Sequence, residues 1–331
     1  MIGIKDQIVA ITGATGHLGT AIVLLALDRG FKVRALYRNG KPGIEHENLS
    51  WIKGDLSVAS LELFLASANA IIHCAAKISI HGDADGSVKL TNIGGTKNLM
   101  EAARSNPTLR IVHVSSTHAA TEFPQDEVYN EERPLKSEDA AAYDFSKAES
   151  ERIVNEYVQN TNANALIVRP SSMLGPPDLR PSLLGAALLG LYKGELPALT
   201  SGGYDFVDVR DVAAACLNAV TMGRAGETYI LTGRYYDLHE LSQLIHELGG
   251  SKPPRIIKIT WLLHLLPFVN LYSRITGKAA PFTREGLVTL QNGHPNMSHE
   301  KAKRELRYNP RNIESSVQDL IEWWKDQNLI D

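Results

Sequence analysis

The sequence lacks most features of secreted and membrane-spanning proteins. Two of its 331 residues are cysteines, Cys74 and Cys216, which lie far apart beside apolar residues. Isolated thiols of this kind indicate reduced cysteines in a reducing compartment rather than a disulfide. The segment 1–13 has no long apolar stretch or small-residue cleavage site, so it is typical of a first strand and not of a signal peptide. We therefore expect a cytoplasmic protein.

Long apolar runs and an excess of one charge are also missing. The most apolar segment, 256–271, is interrupted by Lys258, His264 and Pro267, whereas a transmembrane helix needs about 20 mostly apolar residues. We predict no membrane span, and the segment is interpreted as a core helix, as a wall of an apolar pocket or as a membrane-surface segment. A net charge of −3 gives no reason to expect a nucleic-acid partner.

Hydrolase and metal motifs are absent as well. The sequence has no G-x-S-x-G and no H-E-x-x-H, and its C-terminal histidine pairs have no cysteine nearby. We predict neither a nucleophile elbow nor a metal site.

What the sequence does contain is a regular alternation of short apolar runs with helical patterns. Such alternation predicts parallel strands joined by right-handed crossovers, that is, an α/β Rossmann fold with a doubly wound parallel sheet. The C-terminal part is predicted to be a smaller, interleaved, mostly helical substrate region. We place the first domain at 1–170 and the C-terminal region at 171–331, with 206–222 returning to the first domain. The predicted strands are 8–12, 32–37, 51–53, 70–73, 110–114, 165–169 and 229–231, and the predicted helices include 17–29, 61–68, 95–105 and 137–159.

A glycine loop follows the first predicted strand. The segment TGATGHLG carries glycines with G-x-x-G-x-x-G spacing and opens a periodic helix. Glycine permits a tight turn and close approach to a pyrophosphate, and the helix N-terminus offers free N–H groups. We therefore predict a dinucleotide site here, with contacts from Gly13, Thr15, Gly16, His17, Leu18 and Gly19.

The end of the second predicted strand bears on the choice of cofactor. An acid there binds the ribose 2′-hydroxyl of NAD, whereas arginine accommodates the 2′-phosphate of NADP. No acid occurs between Phe31 and Lys41, and Arg38 stands just past the strand, with Arg34 nearby. We predict NADP, with NADPH preferred over NADH.

The motif Y-x-x-x-K occurs twice, and the two copies differ in local structure. Tyr37–Lys41 contains Gly40 and adjoins proline, which predicts a turn. Tyr143 and Lys147 lie in a helical segment, where residues four apart share a face. Because a nearby ammonium favours phenolate, we expect Lys147 and the oxidised cofactor to lower the Tyr143 pKa. Tyr143 is the predicted acid/base.

A hydroxyl is needed to hold the substrate oxygen, and the strand RIVHVSST ends in Ser115, Ser116 and Thr117. Their position beyond the strand favours a site at the carboxyl edge of the sheet. We predict substrate contacts from these hydroxyl groups and from Tyr143, with His118 a further candidate, although packing explains His118 equally well.

Taken in order, these segments resemble an extended short-chain dehydrogenase/reductase of the NAD-dependent epimerase/dehydratase superfamily. The resemblance is strongest to the dihydroflavonol 4-reductase and 3β-hydroxysteroid dehydrogenase-like branch. It covers residues 8 to about 215 through TGATGHLG, VRALYR, GDL, IIHCAA, TNIGGT, VHVSST, YDFSK, RPSSMLGP and FVDVRDVA.

The resemblance implies further roles. It implies Ser116, Tyr143, Lys147 and Asn92 as catalytic residues, with Lys147 also binding the nicotinamide ribose. It implies cofactor contacts from Asp55, Leu56, Ala75, Ala76, Pro170 and Ser172, although Asp55 is equally compatible with a simple turn. Related enzymes often form homodimers through helices near 95–105 and 143–159.

Three functions remain open from the sequence. The first is an NADP(H)-dependent reductase or dehydrogenase for a small or lipid-like carbonyl or alcohol. The second is an NAD-dependent nucleotide-sugar epimerase or dehydratase, disfavoured by the missing strand-end acid. The third is a non-catalytic dinucleotide sensor, disfavoured by the retained tyrosine, lysine and serine.

Overall fold

The computed structural model describes residues 7–276 and 282–331, without the side chains of Phe268 and residues 270–276. Residues 1–6, part of the segment interpreted above as a first strand, and residues 277–281 lie outside this description. A parallel seven-stranded sheet has the order β10-β6-β5-β4-β1-β2-β3. Its strands are β1 Ile8–Thr12, β2 Lys32–Tyr37, β3 Leu49–Lys53, β4 Ala70–His73, β5 Arg110–Val114, β6 Ala165–Pro170 and β10 Thr228–Leu231.

Helices cover both faces of this sheet because its central strands are apolar on both sides. The helices α1 His17–Asp28 and α7 Val209–Met222 bury one face, and α2 Val58–Leu65, α4 Gly95–Ala103 and α5 Ala142–Thr161 bury the other. The predicted doubly wound α/β fold is confirmed.

Two features differ locally from the predicted helices. The helix predicted to begin at residue 137 begins at Ala142, because Ser137 and Asp139 hydrogen-bond each other in a separate turn. Tyr143 therefore lies in the first turn of α5. Before α4, the short helix α3 Ser87–Lys89 continues into a π-helical segment, Leu90–Gly94. Such segments often occur at functional sites.

The C-terminal region contains more strand than the sequence predicted. Its strands β7 Ser172–Leu174, β9 Gly203–Asp208 and β11 Arg234–Asp237 form one small sheet, and β8 Ala198–Thr200 pairs with β12 Arg255–Ile257. Most of them have three or four residues, too few to display a clear alternation. The remaining helices are α6 Leu183–Lys193, α8 Leu238–Glu247, α9 Ile259–Thr276, α10 Arg284–Gln291, α11 Glu300–Leu306 and α12 Ile313–Asp326. The helices α6, α8 and α12 surround a further apolar core.

The α9 helix runs through Pro267, which was expected to interrupt the apolar segment. In the described part of the chain, no helix is long and apolar enough to cross a bilayer. Both cysteines are free thiols, with Cys216 buried and Cys74 partly buried.

Candidate active site

The glycine loop lies where the direction of strand order reverses. The chain proceeds from β1 to β2 and β3 on one side, and β4 then pairs on the other side of β1. Ligands of such sheets bind beyond the carboxyl ends of the strands at this switch point. The residues that follow β1, β2 and β4 line a groove of about 840 Å³ here.

The three glycines of the loop are needed for different structural reasons. Gly13 has a φ of +66°, and a Cβ there would lie 2.7 Å from the Ala75 nitrogen. A Cβ on Gly19 would lie 2.1 Å from the Gly13 oxygen, so these two positions are fixed by internal packing. A Cβ on Gly16 would lie 3.3 Å from the Gly13 oxygen, and the side of Gly16 that faces the groove is open. Gly16 is thus where backbone can approach a pyrophosphate.

Most predicted cofactor residues line this groove, and the others are placed elsewhere. Its lining includes Gly13, Thr15, Gly16, Arg38, Asp55, Leu56, Ala75 and Ala76. The His17 ring nitrogen instead hydrogen-bonds the Gly175 oxygen at 2.7 Å, and this contact ties α1 to the loop after β7. Leu18 and Gly19 are buried, Pro170 ends β6, and Ser172 lines a second cavity.

The two arginines in and just after β2, Arg34 and Arg38, have different surroundings. The Arg34 guanidinium donates to the Ser67 hydroxyl and the Leu63 oxygen, each at 3.1 Å. Arg38 is exposed and lines the groove. Asp55 accepts hydrogen bonds from the Ser57 amide and hydroxyl, which, with the charge of Arg38, hold its pKa below the usual value. Asp55 therefore serves the turn before α2 and also lines the groove.

Ser116 and Tyr143 lie together. The Ser116 oxygen accepts a 3.1 Å hydrogen bond from the His118 amide, which leaves its own hydrogen free to donate. Burial raises the Tyr143 pKa to about 12, while a hydrogen bond with Ser116 opposes the rise and the charge of Asp144 adds to it. Lys147 does not offset this rise, and the lowering expected from Lys147 together with the oxidised cofactor stays a prediction.

Lys147 extends toward the sheet. Its Nζ atom donates a 2.6 Å hydrogen bond to the Val114 oxygen at the end of β5. Burial lowers the Lys147 pKa to about 8, and Glu151 and Cys74 oppose the change. Cys74 also lines the groove, so the ammonium lies close to the floor of the dinucleotide site.

Asn92 connects the two parts of the site from within the π-helical segment. Its Oδ1 accepts from the Lys77 amide at 2.7 Å, and its Nδ2 donates to the Lys77 oxygen at 3.0 Å and to the Ser146 hydroxyl at 2.8 Å. The Ser146 hydroxyl in turn donates to the main-chain carbonyl oxygen of Tyr143 at 2.7 Å. Asn92 therefore fixes the loop lining the groove relative to the first turn of α5.

A second cavity, of about 740 Å³, lies next to the segments that carry Ser116 and Tyr143, although neither of these two residues is among those that line it. It is lined by Thr117 and His118 on one side and by Ala141 and Asp144 on the other. The apolar part of the lining comes from the side chains of Phe123, Leu135, Val288 and Met297. A volume within the roughly 300–1,000 Å³ typical of small-molecule sites suits an organic substrate.

Charged residues at this cavity form a chain of contacts. His118 Nδ1 lies 3.5 Å from Asp144, which pairs with Lys136 at 2.7 Å, and Lys136 pairs with Glu122 at 2.8 Å. Burial disfavours the charged Asp144, but the hydrogen bond with His118 and the charge of Lys136 outweigh it and lower its pKa. His118 thus lines the cavity and is held by a carboxylate, and its contact with substrate stays a prediction.

Sequence reasoning missed cavity residues that come from distant segments. Tyr204 and Asp205 come from β9, and Arg284 from α10. Burial raises the Asp205 pKa to about 6. No sequence motif marks these residues. The one available signal for a cavity residue was that β9 follows β7, the strand that carries Ser172.

Comparison with known proteins agrees with this geometry. Residues 9–232 match the NAD dependent epimerase/dehydratase family. The chain belongs to this family. Its dinucleotide cofactor is therefore NAD or NADP.

Members of the family resemble the chain over nearly its whole length. It is 31% identical to sterol demethylase protein B of Methylococcus capsulatus, covering 97% of this chain and 99% of that protein. It is 26% identical to a putative dihydroflavonol 4-reductase of Synechocystis, covering 97% and 95%. The crystal structure of gox2253 superposes with a TM-score of 0.84 at 30% identity, covering 98% of this chain and all of the other.

Proposed function

We propose that the protein is an NADP(H)-dependent oxidoreductase that interconverts a ketone or aldehyde with an alcohol on a small or lipid-like substrate. The observation that carries the proposal is the hydrogen bond between the Ser116 hydroxyl and the Tyr143 phenol, on segments whose neighbouring residues line the 740 Å³ cavity. The alternative is an NAD-dependent nucleotide-sugar epimerase or dehydratase.

The chemistry at Ser116 and Tyr143 follows from their protonation. With a pKa of about 12, Tyr143 keeps its proton at neutral pH and can donate it to a carbonyl oxygen. Ser116, whose oxygen already accepts from the His118 amide, donates a second hydrogen bond to that oxygen. The dinucleotide supplies the hydride.

Lys147 supports this proton transfer electrostatically. When Tyr143 has given up its proton, a cation on the same helix stabilises the phenolate. The Val114 carbonyl holds the Lys147 ammonium at the end of β5, near Cys74 of the groove, and we assign this ammonium to the nicotinamide ribose. Asn92 is a positioning residue for Tyr143 and Lys147, because it hydrogen-bonds Lys77 beside the groove and Ser146 of α5.

The preference for NADP rests on the end of β2. Arg38 is exposed to the groove, and the strand-end segment contains no acid to bind a ribose 2′-hydroxyl. Arg34 is occupied by Ser67 and Leu63, so Arg38 is the cation of β2 that we assign to the 2′-phosphate.

The lipid-like substrate class is supported by the cavity and by two relatives. Apolar side chains such as Phe123, Val288 and Met297 give the cavity a wall for a hydrocarbon body. Sterol demethylase protein B takes its name from a sterol reaction. A 28% identical protein of Stigmatella aurantiaca is named as a ketoreductase of a farnesyl dihydroquinoline oxide.

The test is a panel of aldehydes, ketones and secondary alcohols followed at the nicotinamide absorbance with both cofactors. We expect turnover with an apolar ketone or alcohol and a higher kcat/KM for the phosphorylated cofactor. Nucleotide sugars belong in the same panel. Conversion of a nucleotide sugar without net consumption of cofactor would establish the epimerase alternative and overturn the proposal.

A further inference from the structure

The segment that joins α8 to α10 differs in charge from the rest of the protein. Between Glu247 and Glu285 the sequence has no acidic residue. The same stretch contains six basic residues, Lys252, Arg255, Lys258, Arg274, Lys278 and Arg284, although the whole chain has a net charge of −3. A local cationic surface of this kind attracts anionic surfaces.

Apolar side chains are exposed on the same segment. Trp261 is 68% exposed and Leu265 is 46% exposed, and both lie near the start of α9. Residues three and four apart share a helix face, so Trp261, His264 and Leu265 lie side by side. Ile256, on the short strand β12 just before α9, is 49% exposed.

The cations lie at the same end of the helix. Lys252, Arg255 and Lys258 are all exposed, and within residues 7–276 and 282–331 no carboxylate pairs with them. Exposed tryptophan and aliphatic side chains flanked by lysine and arginine are the pattern that binds the interface of an anionic bilayer.

We propose that the start of α9, with β12 and the preceding lysine, docks on an anionic phospholipid surface. Trp261, Leu265 and Ile256 would enter the interface, and Lys252, Arg255 and Lys258 would contact lipid phosphates. The charge of the segment favours this occupant over a second copy of the chain, because two copies would place like charges together.

The position of α9 gives this docking a consequence for the site. The helix packs against α10, whose residues Arg284 and Val288 line the 740 Å³ cavity. The docking surface and the cavity wall are therefore consecutive helices, and an amphiphilic molecule leaving the bilayer would meet the cavity nearby. The docking itself does not depend on the proposed reaction.

The experiment is co-sedimentation of the full chain with vesicles of phosphatidylglycerol and phosphatidylcholine, compared with vesicles of phosphatidylcholine alone. We expect binding to the anionic vesicles, weakened by added salt because the charges are exposed. Absence of binding to anionic vesicles at low salt would overturn the proposal.

Two variants and a matched control assign the binding to this surface. Replacing Trp261 and Leu265 by serine should reduce vesicle binding at least about tenfold. Replacing Lys252, Arg255 and Lys258 by glutamine should reduce it roughly 100-fold, since each basic residue contributes about fivefold at an anionic surface. Leu63→Ser, at a 76% exposed leucine of α2, should have no effect.

Each variant is checked for native circular dichroism and for its sedimentation coefficient without lipid. Vesicle binding that survives both changes would place the contact elsewhere and overturn the assignment. If the wild-type protein does not bind vesicles and the Trp261 and Leu265 variant changes oligomeric state, this face joins copies of the chain instead.

Discussion

The imidazole rings of His73 and His113 stack with their centroids 5.5 Å apart, on neighbouring positions of β4 and β5. Both rings are buried, and burial together with the nearby Lys147 charge lowers both pKa values, that of His73 to about 3. The pair therefore stays neutral beneath the site, and Lys147 is the cation there.

Because the two stacked histidines stay neutral in the folded protein, we expect its free energy of unfolding to fall in acid. A histidine in the unfolded chain has a pKa of about 6.5, so below that pH the unfolded chain binds protons that the folded rings do not bind. The free energy of unfolding therefore decreases as pH falls. Each ring contributes about 1.4 kcal/mol per pH unit between pH 6 and 4. His113→Phe should remove one such contribution in urea unfolding at several pH values. His81→Phe, at an exposed histidine, is the control, and an equal effect would contradict the prediction.

Lys147 predicts the alkaline limit of the reaction. With a pKa of about 8 the ammonium is charged below that pH and neutral above it, whereas Tyr143 keeps its proton to about pH 12. We expect kcat/KM for carbonyl reduction to fall as pH rises through 8. Lys147→Arg should move this limb to higher pH, because guanidinium stays charged. A profile with the same limb in both proteins would disprove the assignment.

Tyr143→Phe should abolish proton transfer while the helix stays intact. We expect kcat to fall about 10²–10⁴-fold, with little change in the dissociation constant of NADPH measured by fluorescence. The matched control is Tyr37→Phe, in the other Y-x-x-x-K copy, whose ring packs edge-on against Trp51. Comparable turnover in the two variants would reject Tyr143 as the acid/base.

Arg38→Ala should separate the two cofactors. Loss of a charged hydrogen bond to phosphate costs about 1.5–3 kcal/mol, so the KM for NADPH should rise about 10- to 100-fold while that for NADH changes little. Arg34→Ala tests the neighbouring cation, whose guanidinium is bound to Ser67 and Leu63. Equal shifts for both cofactors in Arg38→Ala would remove the phosphate assignment.

The order of motifs was enough to predict the sheet and the groove, because these are built from local patterns. The glycine loop follows β1 directly, and Tyr143 and Lys147 share one helix by spacing alone. The 740 Å³ cavity could not be predicted in this way, since Asp205 and Arg284 reach it from β9 and α10, far along the chain. Their approach depends on how short strands pair, which no local pattern records.

The sequence by itself determined the alternation of strands and helices, the glycine loop and the residue types available for proton transfer, because periodicity and backbone freedom are local properties. The tertiary structure decided their protonation and orientation. It turned Lys147 toward the Val114 carbonyl and partly buried the Tyr143 side chain so that the phenol pKa rises. Burial and hydrogen-bond partners depend on residues distant in sequence, and they set which group holds the proton.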